Sequence, residues 1–406
     1  MPRIKEISAH KIVNSRGDWT VDARVELDNG IIVEHPVPEG VSKGENEAVY
    51  LSADKSVQVI STVIADALEG EDPVNQSKID KTLIEMDGTP NKNHLGGNSI
   101  LAVSIAISEA AAQVKGVELY EHIAELFGSP VKKPKFPTPV FNILNGGKHA
   151  HNNLSFQEFM VIPAQGKKFP QQMEIGLKVY DLLESKLLEE GQSGGVGDEG
   201  GFAPTGFNPT KALEFIALSA GETYELGKEV FLGMDVAAES FVDDRLHYTI
   251  KEEDLDLDVP QFINYYKKLI EKYPLIYIED PFFERDYEGW EEFYKEFSEK
   301  LMVVADDLVV TNTKFLQKAI DKKLANAVIV KPNQVGTVTE TLDFIKMAQN
   351  NSMSICVSHR SGDTAEDTFI ADLALGVGAE FIKSGAPVRG ERVAKYNRLL
   401  DIYSTL

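Results

Sequence analysis

The chain has 406 residues, 43% of them apolar and 26% charged, and a formal net charge of −23. At roughly 150 residues per domain, that length predicts two or three globular domains with a large core. So acidic a surface argues against nucleic acid or a membrane as the partner, although a local cationic pocket can still take a small anion. The single cysteine, Cys356, excludes an intrachain disulfide and suits a cytoplasmic, reducing location. No apolar stretch suits a secretory signal or a membrane span.

The first third reads as a small α+β domain, residues 1–133. IKEISAHKIV, TVDARVEL and GIIVEHPV are extended segments separated by RGD and DNG turns. Helical apolar spacing follows at 56–68 and 98–114. The stretch 129–139, SPVKKPKFPTP, reads as a linker with four prolines and three lysines.

Residues 134–406 then alternate short apolar runs with amphipathic stretches. VFLGMDV is followed by a hairpin-like insert and VPQFINYYKKLIEKY. PLIYIED, LMVVADD, NAVIVK, SMSICVSH and EFIKSG each precede a helical pattern. Such a βα repeat predicts a parallel sheet. Its length is close to the ~250 residues of a closed (β/α)8 barrel. The rival is an open doubly wound sheet, which would usually carry a glycine-rich turn after its first strand.

The last residue or two of the barrel-like strands are Asp235, Glu279, Asp306, Lys331, His359 and Lys383, with gaps of 44, 27, 25, 28 and 24 residues. One βα unit needs roughly 25–30 residues, so these side chains recur in register. In a barrel, strand C-termini converge on one mouth, where active sites form. Three carboxylates and no thiolate describe a hard oxygen site suited to Mg²⁺, with Mn²⁺ as a substitute. The plainer alternative is a set of salt bridges to Lys331 and Lys383. Nearby cations are expected to lower the Lys331 pKa towards that of a general base. The glycine-rich stretch 191–207 lacks a Walker ending and presents Asp198 and Glu199 instead. A second polar glycine loop, 145–153, offers His149 and His151, followed by Gln157 and Glu158. Arg360 and Ser361 in SHRSG suit an oxyanion. Cys356 reads as a packed core thiol.

These motifs, in this order, resemble the enolase family along nearly the whole chain. The matching stretches are SRG-x-x-TV (15–21), G-x-S-x-G-E (40–45), NILNGGKHA (142–150), QEFM (157–160), GDEGGFAP (197–204), DVAA (235–238), IEDPF (278–282), ADDL-x-VTN (305–312), K-x-NQ-x-GT (331–337), SHRSG (358–362) and KSGAP-x-R-x-ER (383–392). The resemblance implies a modified barrel of order ββαα(βα)6, fitting paired strands seen at 138–144 and 155–162. It also implies reversible dehydration of 2-phosphoglycerate to phosphoenolpyruvate.

Asp235, Glu279 and Asp306 then resemble the ligands of a first Mg²⁺. Ser42, on a mobile loop, resembles the ligand of a second that arrives with substrate. Asp307, beside the first set, resembles a residue that supports it from behind. Lys331 resembles the base and Glu199 the acid, assisted by Glu158. Gln157, His149, His359 and Lys383 resemble substrate and network contacts, and Arg360 with Ser361 a phosphate clamp. A homo-oligomer is implied as well, with Arg16 resembling a dimer contact.

The chain departs from the family pattern at Asp18-Trp19, Glu39, Lys43 and Asn46. It is shorter after Tyr50 and lacks an acidic C-terminal run. These changes gather in or near the lid region, and they are the support for an alternative reading as a divergent binding or scaffold protein. Another superfamily lyase or racemase is disfavoured by GDEGGFAP and SHRSG together.

Overall fold

The computed structural model describes residues 1–40, 44, 46–129 and 134–406. The N-terminal unit opens with an antiparallel meander of β1 (Ile4–Val13), β2 (Trp19–Leu27) and β3 (Ile32–Pro36). Asn14 Oδ1 closes the first turn by accepting from the amides of Arg16 and Asp18, at 2.9 and 3.1 Å. Alternate residues Val21, Ala23, Val25 and Leu27 are fully buried. That is the period-2 face of a strand packed on one side.

The expected helix at 56–68 begins earlier, at Ala53–Val59, and passes through a π-turn (Ile60–Ile64) into Ala65–Leu68. The helix expected at 98–114 spans Gly97–Lys115. It packs on β2 and β3 and on the barrel segments Pro332–Val335 and Val338–Asn350. Burial on both sides explains its run of small residues. Ser104 Oγ is there satisfied by donating to Asp80 at 2.7 Å and accepting from the Val338 amide at 3.0 Å. Two further helices, Gln76–Asp87 and Leu119–Phe127, were not expected from the apolar spacing.

In the barrel, β4 (Thr138–Pro139) and β5 (Phe141–Asn145) flank Val140, whose amide donates to the Ile382 carbonyl at 2.8 Å. They form one bent stave. Next come β6 (Glu158–Pro163), the helices Phe169–Glu189 and Pro209–Gly221, and β7 (Val230–Asp235). The hairpin insert is β8 (Tyr248–Ile250) with β9 (Leu255–Leu257). The remaining staves are β10 (Leu275–Glu279), β11 (Met302–Ala305), β12 (Ala327–Val330), β13 (Ser354–Ser358) and β14 (Phe381–Lys383), each followed by helix.

The sheet order is β4-β14-β13-β12-β11-β10-β7-β6-β5. The bent first stave pairs with β14 on one side and β6 on the other, which closes the ring and excludes the open sheet. Only β6 runs antiparallel to its barrel neighbours. The order is ββαα(βα)6, as the resemblance implied. The proline-rich stretch is not wholly a linker, since Thr138 and Pro139 pair with Phe381 and Ile382 in the sheet. The domain boundary expected at 133/134 adjoins residues 130–133, which lie outside the described residues. Among the described residues, no single helix is long and apolar enough to cross a membrane.

Strand alternation sorts the side chains. Val140, Met160, Ile162, Tyr277, Val304, Ala327, Ile329, Cys356 and Phe381 form one buried cluster filling the barrel. Their neighbours Val303, Val328, Ile355 and Ile382 belong to the larger core beneath the helices. Two residues further along each stave, the inward column ends in polar groups.

Candidate active site

The inward residues above the barrel core follow by counting. Tyr277 leads to Glu279, Val304 to Asp306, Ile329 to Lys331, Cys356 to Ser358 and Phe381 to Lys383, each two positions on. One layer of the barrel is therefore apolar and the next is ionic. The antiparallel strand β6 brings its beginning to this end, with Glu158 in register with Asp235 on β7 and Asn145 on β5. This explains why Gln157 precedes its strand and Glu158 opens it, while the other polar groups end theirs or follow them. His359 lies one residue beyond β13, off the column.

Loops complete the mouth. The glycine-rich segment is tied to β5 by the Phe202 amide donating to Ile143 and the Asn145 amide donating to Phe202, at 2.9 and 2.8 Å. It is tied to the 145–153 loop by the Asp198 amide donating to His149, at 3.0 Å. Glu199 is thereby placed against Asn142 Nδ2, at 2.9 Å. His149, Gln157, Glu158, Glu199, Asp235, Lys331, His359, Arg360, Ser361 and Lys383 all border one polar cavity, with about 280 Å³ of atom-free space. His151 is exposed.

Cations and carboxylates interleave here. Lys383 Nζ contacts both oxygens of Glu279 at 2.9 and 2.8 Å, Glu158 at 3.0 Å and Asp235 at 3.4 Å. Lys331 Nζ contacts Asp306 Oδ2 directly. Gln157 Nε2 donates to Asp235 at 3.2 Å, Gln334 Nε2 to Asp306 at 3.0 Å, and the Tyr277 hydroxyl to Glu279 at 2.6 Å. Burial pushes Asp235 up to about 6. Burial, then the Asp235 charge, pushes Glu279 up to about 7. Burial works against the charge on Asp306, but Lys331 outweighs it and holds that carboxyl below its usual range. Lys331 is not lowered as the sequence suggested. Burial favours the neutral amine, but Asp306 outweighs it and raises the lysine.

Glu158 and Glu199 diverge. Burial and the Glu199 charge push Glu158 well up. Burial also opposes the charge on Glu199, but His149, His359 and Arg392 hold it well below the carboxylate range. The two carboxyls are thus pushed apart, Glu158 towards the neutral acid and Glu199 towards the carboxylate. His149 Nδ1 lies 3.4 Å from Glu158 and 3.6 Å from Glu199.

The oxygen-only donor set Asp235, Glu279 and Asp306 suits a hard divalent cation. Two lysine ammonium groups already sit on these three carboxylates, so positive charge is what the position accommodates. Among the described residues, the groups whose ligand atoms come within 4.8 Å of one another are His149/Glu158/Glu199 and Asp280/Asp306/Asp307. The expected trio is not such a set; Lys383 contacts Asp235 and Glu279, and Lys331 contacts Asp306. The salt bridges considered from sequence are therefore present. Asp280 accepts from the amides of Asp306 and Asp307 at 2.9 and 3.0 Å, fixing that turn. Ser42, expected on a second ion, lies outside the described residues.

Arg360 faces a partner the sequence did not suggest. Its guanidinium is held by Glu47, at 2.8 and 3.2 Å. Glu47, Asn142, Asp280, Gln334 and Arg392 were all missed as site residues. Each stands in or beside a quoted motif, and that was the available signal.

A capped barrel with lysines facing carboxylates across its mouth defines a class of two-domain α/β proteins equipped for acid–base chemistry. A family model for the enolase C-terminal TIM barrel domain matches residues 133–406, and one for the enolase N-terminal domain matches residues 4–123. The chain belongs to the enolase family.

Proposed function

We propose that this protein interconverts 2-phosphoglycerate and phosphoenolpyruvate in glycolysis and gluconeogenesis, as a Mg²⁺-dependent hydro-lyase. The observation that carries the reading is that Lys331 and Glu199, from separate elements, border the same cavity as the cations Lys383 and Arg360. Lys331 in its free-base form takes the proton from C2 of the substrate. The electron pair of that C–H bond becomes the new C2–C3 double bond, and the C3–O bond breaks. The departing hydroxyl takes a proton from the Glu199–Glu158 pair and leaves as water. Arg360 and Ser361 hold the phosphate, and Gln157, His149, His359 and Lys383 orient the rest. Asp235, Glu279 and Asp306 would hold one Mg²⁺ and Ser42 a second, and the ions would supply positive charge where the substrate carboxylate becomes more anionic. A cytoplasmic homo-oligomer belongs to the same reading.

The test is turnover of purified protein on 2-phosphoglycerate, followed by ultraviolet absorbance of the enol phosphate, with Mg²⁺ and with chelator. Mg²⁺-dependent product is expected. A folded, Mg²⁺-binding protein that makes none would favour the alternative, a divergent member serving in binding or as a scaffold. The specific observation on that side is Glu47 seated on Arg360.

A further inference from the structure

Arg392 belongs to the helix Gly390–Thr405 after β14 and does not line the cavity. It is fully buried. Its Nη1 lies 2.6 Å from His359 Nδ1 and donates to the Arg360 carbonyl at 2.6 Å. Its Nη2 donates to the carbonyls of Ser361 and, at 3.3 Å, Asp198. One guanidinium thus joins the loop carrying Glu199 to the loop carrying His359.

A guanidinium offers donors only and stays protonated. At 2.6 Å, His359 Nδ1 must therefore be the acceptor, and the ring proton sits on Nε2. Nε2 is buried, 3.4 Å from Glu199 Oε2, and makes no aligned hydrogen bond. It is a donor held beside Glu199, on a residue that borders the cavity. The contact is built into the backbone. At Gly385, with φ of +82°, a Cβ would meet Arg392 Cδ at 2.9 Å and the Glu199 carbonyl at 2.8 Å. Only glycine lets the arginine stem pass there.

We propose that Arg392 is a positioning residue that fixes His359 as the neutral tautomer protonated on Nε2, so that His359 only donates towards Glu199 and substrate. Its use in dehydration rests on the function proposed above, but the tautomer itself does not. Burial first, and the Arg392 charge against the pull of Glu199, hold the imidazole down to about 4, in agreement with a neutral ring.

The experiment is a long-range ¹H–¹⁵N spectrum of the full chain labelled in its eight histidines, recorded without substrate. It distinguishes protonated from bare ring nitrogens, and His359→Gln assigns the signal. Wild type is expected to show a proton on Nε2 and a bare Nδ1. Arg392→Met should lose that preference, and Arg392→Lys, also donor-only, should keep it. On the proposed substrate, kcat of the Met variant should fall about tenfold or more below that of the Lys variant, with little change in KM. A wild-type ring protonated on Nδ1 or on both nitrogens overturns the proposal. So does a Met variant with an unchanged ring, or a Lys variant that matches the Met spectrum. Should the Met variant not fold, the wild-type and Lys spectra decide. Because the spectra need no turnover, they fail separately from the dehydratase reading.

Discussion

Glu47 and Arg360 form a buried two-point ion pair across 313 positions of sequence, Nη1 to Oε2 at 2.8 Å and Nη2 to Oε1 at 3.2 Å. Asn333 Oδ1 also accepts from Nη1, at 3.2 Å, and the Gly44 amide donates to Glu47 at 3.0 Å. Beside the pair, Glu39 and Gly362 exchange backbone hydrogen bonds at 2.7 and 2.8 Å. The N-terminal unit is thus fastened to the SHRSG loop by charge and by backbone. On the proposed function, a phosphate reaching Arg360 would compete with a carboxylate already seated there.

Removing one partner of a buried pair leaves the other poorly compensated, which typically costs 3–5 kcal/mol. Glu47→Gln should therefore lower stability by about that amount in a urea titration. Inorganic phosphate should restore more stability in the variant than in wild type, because the competing carboxylate is gone. Equal phosphate effects in both proteins would mean that the Glu47 carboxylate does not compete for Arg360.

Lys331→Ala tests the base. Loss of a positioned general base typically costs 10²–10⁴-fold in rate, so kcat on 2-phosphoglycerate should fall by about that factor with the fold retained by circular dichroism. Near-normal turnover would exclude Lys331 as the base.

The strand-end residues were legible because a βα unit repeats with nearly constant length, and that put Asp306, Lys331, His359 and Lys383 in phase. Glu158 could be picked out beside the 145–153 loop, but its role was readable only through the family resemblance. An antiparallel stave reverses which end of the strand reaches the mouth, and nothing in SFQEFMVI marks its direction. Glu47 could not be paired with Arg360 from sequence, because that contact is set by docking of the two units rather than by local pattern. Arg392 ends the KSGAP-x-R-x-ER motif, but its part in the site shows only in its distance to His359. The helix Gln76–Asp87 escaped notice because its apolar residues are few and its buried Gln76 and Asp80 face Ser104.

His122 gives a prediction about pH outside the mouth. Burial, then the Lys115 ammonium, depresses it to about 4. Lys115 Nζ lies 3.3 Å from its Nδ1. The unfolded chain binds this proton near the ordinary value of about 6.5, whereas the native state does not bind it until about 4. Between those values the unfolded state holds more protons, so stability falls as pH drops through the window. His122→Gln should flatten that part of the stability–pH curve, by at most about 1.4 kcal/mol per pH unit. Chemical denaturation at several pH values reads the slope, and an unchanged slope would remove His122 as a contributor.

Metal binding should carry its own pH signature. Burial raises Asp235 to about 6 and Glu279 to about 7, so below those values each gains a proton that a cation must displace. A ligand that binds only the native state adds about 2.7 kcal/mol at a hundredfold excess over Kd. Mg²⁺ should therefore raise the melting temperature of wild type, and at fixed concentration the rise should be larger at pH 8 than at pH 6, since protonated carboxyls bind metal poorly. Glu279→Gln removes one donor and one titrating group together, so both the rise and its pH dependence should shrink. Calorimetric scans with Mg²⁺ and with chelator measure this directly. An equal rise in the variant would place the stabilising ion elsewhere and leave Lys383 and Lys331 as the only cations these carboxylates hold.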